Sequence, residues 1–241
     1  MNITQFNSKE ELDQHAAELF AALLAHNPQA TLGLATGSTP TGIYEKMIKM
    51  HQAGRLSFNE AATFNLDEYV GLPPGHDQSY AYYMNKYLFN HVDVRREHIH
   101  LLDGMADDLA AECSRYDQLL AAKPIDIQLL GLGHNGHIGF NEPDHSLQGG
   151  THIVELKAET REANARFFES VDQVPAKAVT MGIGSILKAD TILLVVKGAD
   201  KAEIVKEALT GPITTECPAS LLQTHAKVIV LLDREAGRLL D

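Results

Sequence analysis

Several short blocks of this 241-residue chain gather side chains able to move a proton or hold an anion. They are Thr36-Gly37-Ser38-Thr39-Pro40-Thr41-Gly42, Asp67-Glu68-Tyr69, the run GLGHNGHIGFNEP from Gly131 to Pro143, and two cationic stretches around Arg161 to Arg166 and Lys197 to Lys201. The run from Gly131 admits three chemistries. Its glycines fit GxGxxG, but Gly139 and Pro143 break the helix that would receive a dinucleotide's pyrophosphate. His134 and His137 are three apart, yet with Glu142 or His145 they match no recognised metal spacing, and no HExxH occurs. Acid–base chemistry fits the residue types better: a glycine-rich turn exposes His137, and Glu142 or Asn135 orients the ring and sets its tautomer. Taken alone, a surface turn with incidental histidines explains the block equally well.

The other blocks are as open when read singly. In TGSTP, Gly37 allows close backbone approach, Thr39 suits a cap and Pro40 the first helical position, so Gly37, Ser38 and Thr39 read as an anion cradle or as an ordinary capped turn. It is not GxxxxGK[ST]. Asp67 and Glu68 are adjacent on an extended run, so their side chains face opposite ways and only one can enter a cleft; by itself the pair reads first as a solvated acidic turn. Arg161 and Arg166 point about 140° apart on a helix, so one of them faces any shared site, and Lys201 follows an apolar run at its far end.

The elements that must position these blocks are short apolar runs with helical patterns between them: TLGLAT at 31, AATFNLD at 61, IDIQLLG at 125, THIVEL at 151, KAVTMGI at 177, TILLVV at 191 and KVIVLL at 227. Continuous rather than alternating apolar runs suit strands covered on both faces, which predicts an α/β fold with a mainly parallel, doubly wound sheet of about seven strands flanked by helices. The first helix opens at Ser8 with Glu11 in a capping box and places Leu12, Ala16, Leu19 and Leu23 on one stripe. Further helices are expected near 40–53, 78–91, 107–122, 160–170 and 200–209. The tyrosines Tyr80, Tyr83 and Tyr87 sit at helical spacing and read as core. Length and the lack of a linker predict one domain over 1–241.

The formal charge of −12 argues against a sequence-independent hold on nucleic acid or an anionic bilayer. No apolar run approaches the ~18 residues of a membrane span. The two cysteines, Cys113 and Cys217, with no secretory pattern in MNITQFNSKEELDQH, predict a cytoplasmic protein with free thiols.

Taken together, LGLATGSTP, FNLDEYVGLPPGHDQSY, GLGHNGHIGFNEP, TREANARFF and KGADK resemble the glucosamine-6-phosphate deaminases of the sugar-phosphate isomerase/deaminase superfamily, nearly end to end. NLDEYVGL and GHIGFNEP are the specific blocks; the related 6-phosphogluconolactonases share a GxGxDGH portion but not FNEP. The resemblance implies a modified Rossmann-like sheet and conversion of D-glucosamine 6-phosphate to D-fructose 6-phosphate and ammonia, without metal or organic cofactor. It makes Asp67 the carboxylate that takes the C2 proton and returns it to C1, His137 the ring-opening histidine, and Glu142 its support. Asn135 stands where some members carry Asp. Gly37, Ser38, Thr39, Arg166 and Lys201 match phosphate-binding positions.

Members activated by N-acetylglucosamine 6-phosphate carry basic residues where this chain has His152 and Val154, and a longer C-terminus. No such activation is expected, and the protein is expected as a monomer or small homo-oligomer; sigmoidal kinetics relieved by N-acetylglucosamine 6-phosphate would contradict this. Two rivals share the phosphate cradle. A lactone hydrolase needs no C2-proton base, and a sugar-phosphate sensor needs a DNA-binding module for which the acidic lead before TLGLAT has no room.

Overall fold

Runs such as TILLVV and VIVLLD bury nearly every residue, which requires cover on both faces of the sheet they form. The computed structural model describes residues 1–240. In chain order its first half contains β1 (Asn2–Phe6), α1 (Lys9–His26), β2 (Thr31–Leu34), α2 (Thr41–Gln52), β3 (Ala62–Asn65), β4 (Asp67–Tyr69), α3 (Tyr80–Tyr87), β5 (Ile99–His100) and α4 (Leu109–Ala122). The second half contains β6 (Ile127–Leu130), β7 (His152–Glu155), α5 (Ala158–Asn164), β8 (Lys177–Thr180), α6 (Ile183–Ile186), β9 (Thr191–Val196), α7 (Ala202–Thr210) and β10 (Val228–Asp233).

The main sheet has seven parallel strands in the order β1-β10-β9-β6-β2-β3-β5. From β2 the chain winds outward through β3 to β5, then returns to β6 beside β2 and winds the other way through β9 and β10. The switch point therefore lies between β2 and β6, where open α/β sheets place their ligands beyond the strand ends. The loops leaving those two strands are TGSTP and GLGHNGH.

The strand count agrees with expectation, but its membership differs. THIVEL and KAVTMGI form β7 and β8, which join β4 in a second, antiparallel sheet of three strands, β4-β8-β7, with β8 at its centre. Their places in the main sheet are taken by β1, an edge strand with mostly exposed residues, and by β5, which is two residues long. Neither carries an apolar run to betray it. The small sheet matters for chemistry, because it splits AATFNLDEY at Leu66 and holds Asp67 opposite Thr180.

The Ser8 hydroxyl accepts the Glu11 N–H at 3.1 Å and starts α1 as expected. The fully buried stripe is Leu12, Ala16 and Phe20, with Leu24 close behind; Leu19 and Leu23 are only half-buried at its flank. The α2 helix begins one residue later than TGSTP suggests, with Pro40 at its cap and no side-chain capping bond from Thr39.

Candidate active site

Gly37 sits at φ +91° with open space where a Cβ would stand, so its requirement is conformational rather than steric. The carbonyls nearby are occupied: Tyr44 donates its hydroxyl to Ala35 O and Tyr83 donates to Gly37 O, both at 2.6 Å. Among the described residues, the first amide of this segment bonded to a backbone carbonyl is that of Tyr44, to Pro40 O at 2.9 Å. The preceding amides at the start of α2 are left for an anion. Lys197 braces the loop by donating to Thr39 O at 2.9 Å while pairing with the buried Asp13 of α1.

After β6 no helix follows; the chain turns through Gly131 to Pro143 and presents His137. His137 Nδ1 lies 2.7 Å from Asn135 Oδ1, and the Asn135 amide nitrogen donates to Glu142 Oε2 at 2.7 Å. An amide that gives its NH₂ to a carboxylate must accept with its oxygen, so Nδ1 carries the proton and Nε2 keeps its lone pair. Glu142 is 3.7 Å from Nδ1 and acts on the ring by charge, with Asn135 as the hydrogen-bonded bridge. Burial works to raise the Glu142 pKa, but the neighbouring His137, Thr160 and Asn135 prevail and hold it at about 2. Glu142 is thus a fixed negative charge behind the His137 ring.

The His137 ring also explains Gly133. A Cβ there would stand 2.3 Å from the ring's Nδ1 and Cε1, so the imidazole lies directly against the glycine backbone. Gly133→Ala, at an ordinary φ, is expected to displace the ring and lower turnover by about 10²-fold with unchanged circular dichroism. Normal turnover in that variant would show that the ring position is not critical.

Asp67 and Glu68 diverge as strand geometry requires, but neither is solvated, so the acidic-turn reading is wrong. Glu68 is 4% exposed and accepts the backbone N–H groups of Tyr69, Tyr80 and Ala81 at 2.8–2.9 Å, clamping the start of α3 to β4. Asp67 is 8% exposed and lines the cleft. Burial, then the neighbouring Glu68 charge, pushes its pKa up to about 8. A carboxyl so placed is a stronger base than an exposed one once it ionises.

Gly37, Ser38, Thr39, Asp67, Asn135, His137, Arg166 and Lys201 all line one cleft of about 730 Å³, with Glu142 behind it. Of the two arginines, Arg161 is spent on the carbonyls of Val171 and Val174, whereas Arg166, lying over the Phe167 ring, reaches the cleft. Lys201 donates to Leu132 O at 2.8 Å, and burial, with Arg166 adding to it, lowers its pKa to about 8. Two cations crowded at one wall favour an anionic ligand. His134 pairs with Asp200 at 2.8 Å. Among the described residues no group of three His, Cys, Asp or Glu is placed to hold a metal ion, and Cys113 and Cys217 are free and buried.

Residue types alone missed several parts of the site. Tyr80 and Tyr83 are not simply core: both line the cleft, and Tyr83 sets the cradle. Helical spacing reports which face a side chain leaves from, not where its hydroxyl ends. Thr160, whose hydroxyl donates to Glu142 Oε1, and the Lys197–Asp13 brace had no distinguishing local signal.

The family described as glucosamine-6-phosphate isomerases/6-phosphogluconolactonase matches residues 5–230. The chain is 52% identical to a glucosamine-6-phosphate deaminase of Bacillus velezensis over 98% of this chain and 99% of the relative. It is 48% identical to one of Clostridium perfringens over the whole of both chains. The solved structure of a monomeric glucosamine-6-phosphate deaminase superposes with a TM-score of 0.96 at 49% identity, covering 99% of this chain and all of that one. A 6-phosphogluconolactonase from Leishmania guyanensis, at 20% identity and a TM-score of 0.78, shares the fold. With its switch-point cleft, and with the family matched over nearly the full chain, this protein belongs to the glucosamine-6-phosphate isomerase/6-phosphogluconolactonase family.

Proposed function

We propose that the protein deaminates D-glucosamine 6-phosphate to D-fructose 6-phosphate and ammonia in amino-sugar catabolism. The observation that carries this reading is Asp67, a buried carboxyl facing the same cleft as His137 and the anion cradle. The substrate phosphate occupies the amides around Gly37, Ser38 and Thr39 with Arg166 and Lys201. His137 Nε2 takes the anomeric hydroxyl proton and supplies one to the ring oxygen, opening the ring to the aldehyde; Asn135 and Glu142 hold the ring and balance its charge. Asp67 as carboxylate then removes the proton from C2, which the adjacent ammonium and aldehyde acidify, and returns it to C1. The ammonium gives up a proton as O1 gains one, and the resulting ketimine adds water and expels ammonia. The substrate ammonium draws the Asp67 pKa down on binding, so the base is formed as the substrate arrives.

A lactone hydrolase would use the cradle and His137 but gives the buried Asp67 no task. The test is to incubate purified protein with glucosamine 6-phosphate, without added metal or nucleotide, and to assay ammonia and fructose 6-phosphate, with 6-phosphogluconolactone in parallel. Equimolar ammonia and fructose 6-phosphate are expected; hydrolysis of the lactone with neither product from the amino sugar overturns the reading.

The pH dependence follows from the two shifted groups. Catalysis needs Asp67 ionised, so kcat/KM climbs as pH rises through about 8; it needs Lys201 protonated, so kcat/KM falls as pH rises beyond about 8. After correction for substrate ionisation, a narrow bell centred near pH 8 is expected, its two apparent pKa values belonging to the pair. A flat profile from pH 7 to 9 would contradict this assignment.

A further inference from the structure

The segment that carries Arg166 is also wired to the acid–base groups. Thr160 is the one buried residue of α5, and it donates its hydroxyl to Glu142 Oε1, leaving Oε2 for Asn135 and, through it, His137. One turn later Asn164 donates to the hydroxyl of Tyr69 at 2.9 Å, on the strand that presents Asp67. Two residues further stands Arg166, exposed at the cleft and, among the described residues, without an ion-pair partner. Glu159 and Ala163 of α5 also line the cleft, and Arg161 bonds the carbonyls of Val171 and Val174. The helix itself is therefore tied to the site by hydrogen bonds to the catalytic walls, while Ala165 and Phe168 on either side of Arg166 pack on the apolar cluster around Tyr69 and Phe140.

We propose that Thr160 is a positioning residue that couples anion capture by Arg166 to the orientation of His137. When an anion fixes Arg166, α5 is fixed with it, and the Thr160 hydroxyl sets the Glu142 carboxylate that orients the Asn135 amide and the His137 ring. Ring opening is then assembled only when the phosphate end of a ligand is seated. This rests on the proposed phosphate site but not on the identity of the sugar, because inorganic phosphate alone is sufficient to test it.

The experiment follows the His137 imidazole resonances, identified by their loss in His137→Gln, while inorganic phosphate is titrated into the full-length protein. In the wild type saturating phosphate shifts them. Thr160→Val removes the hydroxyl at nearly constant volume and is expected to bind phosphate with unchanged affinity while losing most of the His137 response; Thr160→Ser restores it. With glucosamine 6-phosphate, Thr160→Val lowers kcat by about tenfold at unchanged KM, as expected when an interaction serves orientation rather than binding. A full His137 response in Thr160→Val overturns the proposal, as does phosphate that binds the wild type without moving His137. Failure of the wild type to bind phosphate removes the cradle reading and this coupling together, whereas failure of ammonia release with an intact phosphate response removes only the assigned substrate.

Discussion

Asp67→Asn is expected to abolish ammonia release, with kcat falling by about 10³-fold or more, because the proposed reaction has Asp67 take the C2 proton. KM for glucosamine 6-phosphate changes little, since the phosphate is held elsewhere. The same variant is more stable than the wild type. The folded-state pKa of Asp67 is raised to about 8 from 3.8, so between those values the folded protein holds a proton that the unfolded chain releases. Stability therefore declines as pH rises through that window, and the full penalty is present above about pH 8. Asparagine removes the penalty. The gain is on the order of 2 kcal/mol at pH 8, a fraction of the free energy that the full shift represents, and it vanishes toward pH 4. Thermal unfolding of the two proteins at pH 5 and pH 8 reads this directly: the difference in Tm widens with pH. A variant that loses activity and stability together would mean that Asp67 is a structural carboxylate.

His137→Gln lowers kcat/KM by about 10²- to 10⁴-fold, the range for losing a positioned general acid–base group. The diagnostic lies in which step becomes slow. Ring opening precedes C2 deprotonation, so impairing it makes an earlier step limiting and hides any isotope effect from deuterium at C2. The variant is expected to show a C2-deuterium effect near unity even though Asp67 is intact. An undiminished isotope effect in His137→Gln would place the histidine in the proton transfer itself and not in ring opening.

The class of fold and the whereabouts of the site were readable in the chain because they depend on local properties. TILLVV and KVIVLL are apolar throughout since helices cover both faces, and the loops after TLGLA and IDIQLL carry the glycines needed for close approach. What sequence did not reveal depends on residues distant along the chain. The sheet membership of β1 and β5 is set by the partners β10 and β3, not by their own residues. Glu68 looked like half of a solvated pair until Tyr80 and Ala81, a dozen residues on, supplied its amide partners. Asn135, uncertain by resemblance because other members carry Asp, proves to be the bridge: an amide can give to Glu142 and accept from His137 at once, whereas a second carboxylate beside Glu142 would need a proton to do so. Tyr83 and Thr160 act through single hydroxyls whose targets, Gly37 and Glu142, lie on other elements.

The central claim is that one carboxylate, Asp67, moves the proton from C2 to C1 while ammonia is lost. It is tested most directly by a single turnover of glucosamine 6-phosphate deuterated at C2, in ordinary water, with the product examined by NMR. Fructose 6-phosphate carrying deuterium at C1 in a measurable fraction of molecules is expected, with one ammonia per sugar. Product whose newly added C1 hydrogen comes wholly from solvent, or no fructose 6-phosphate at all, would contradict it.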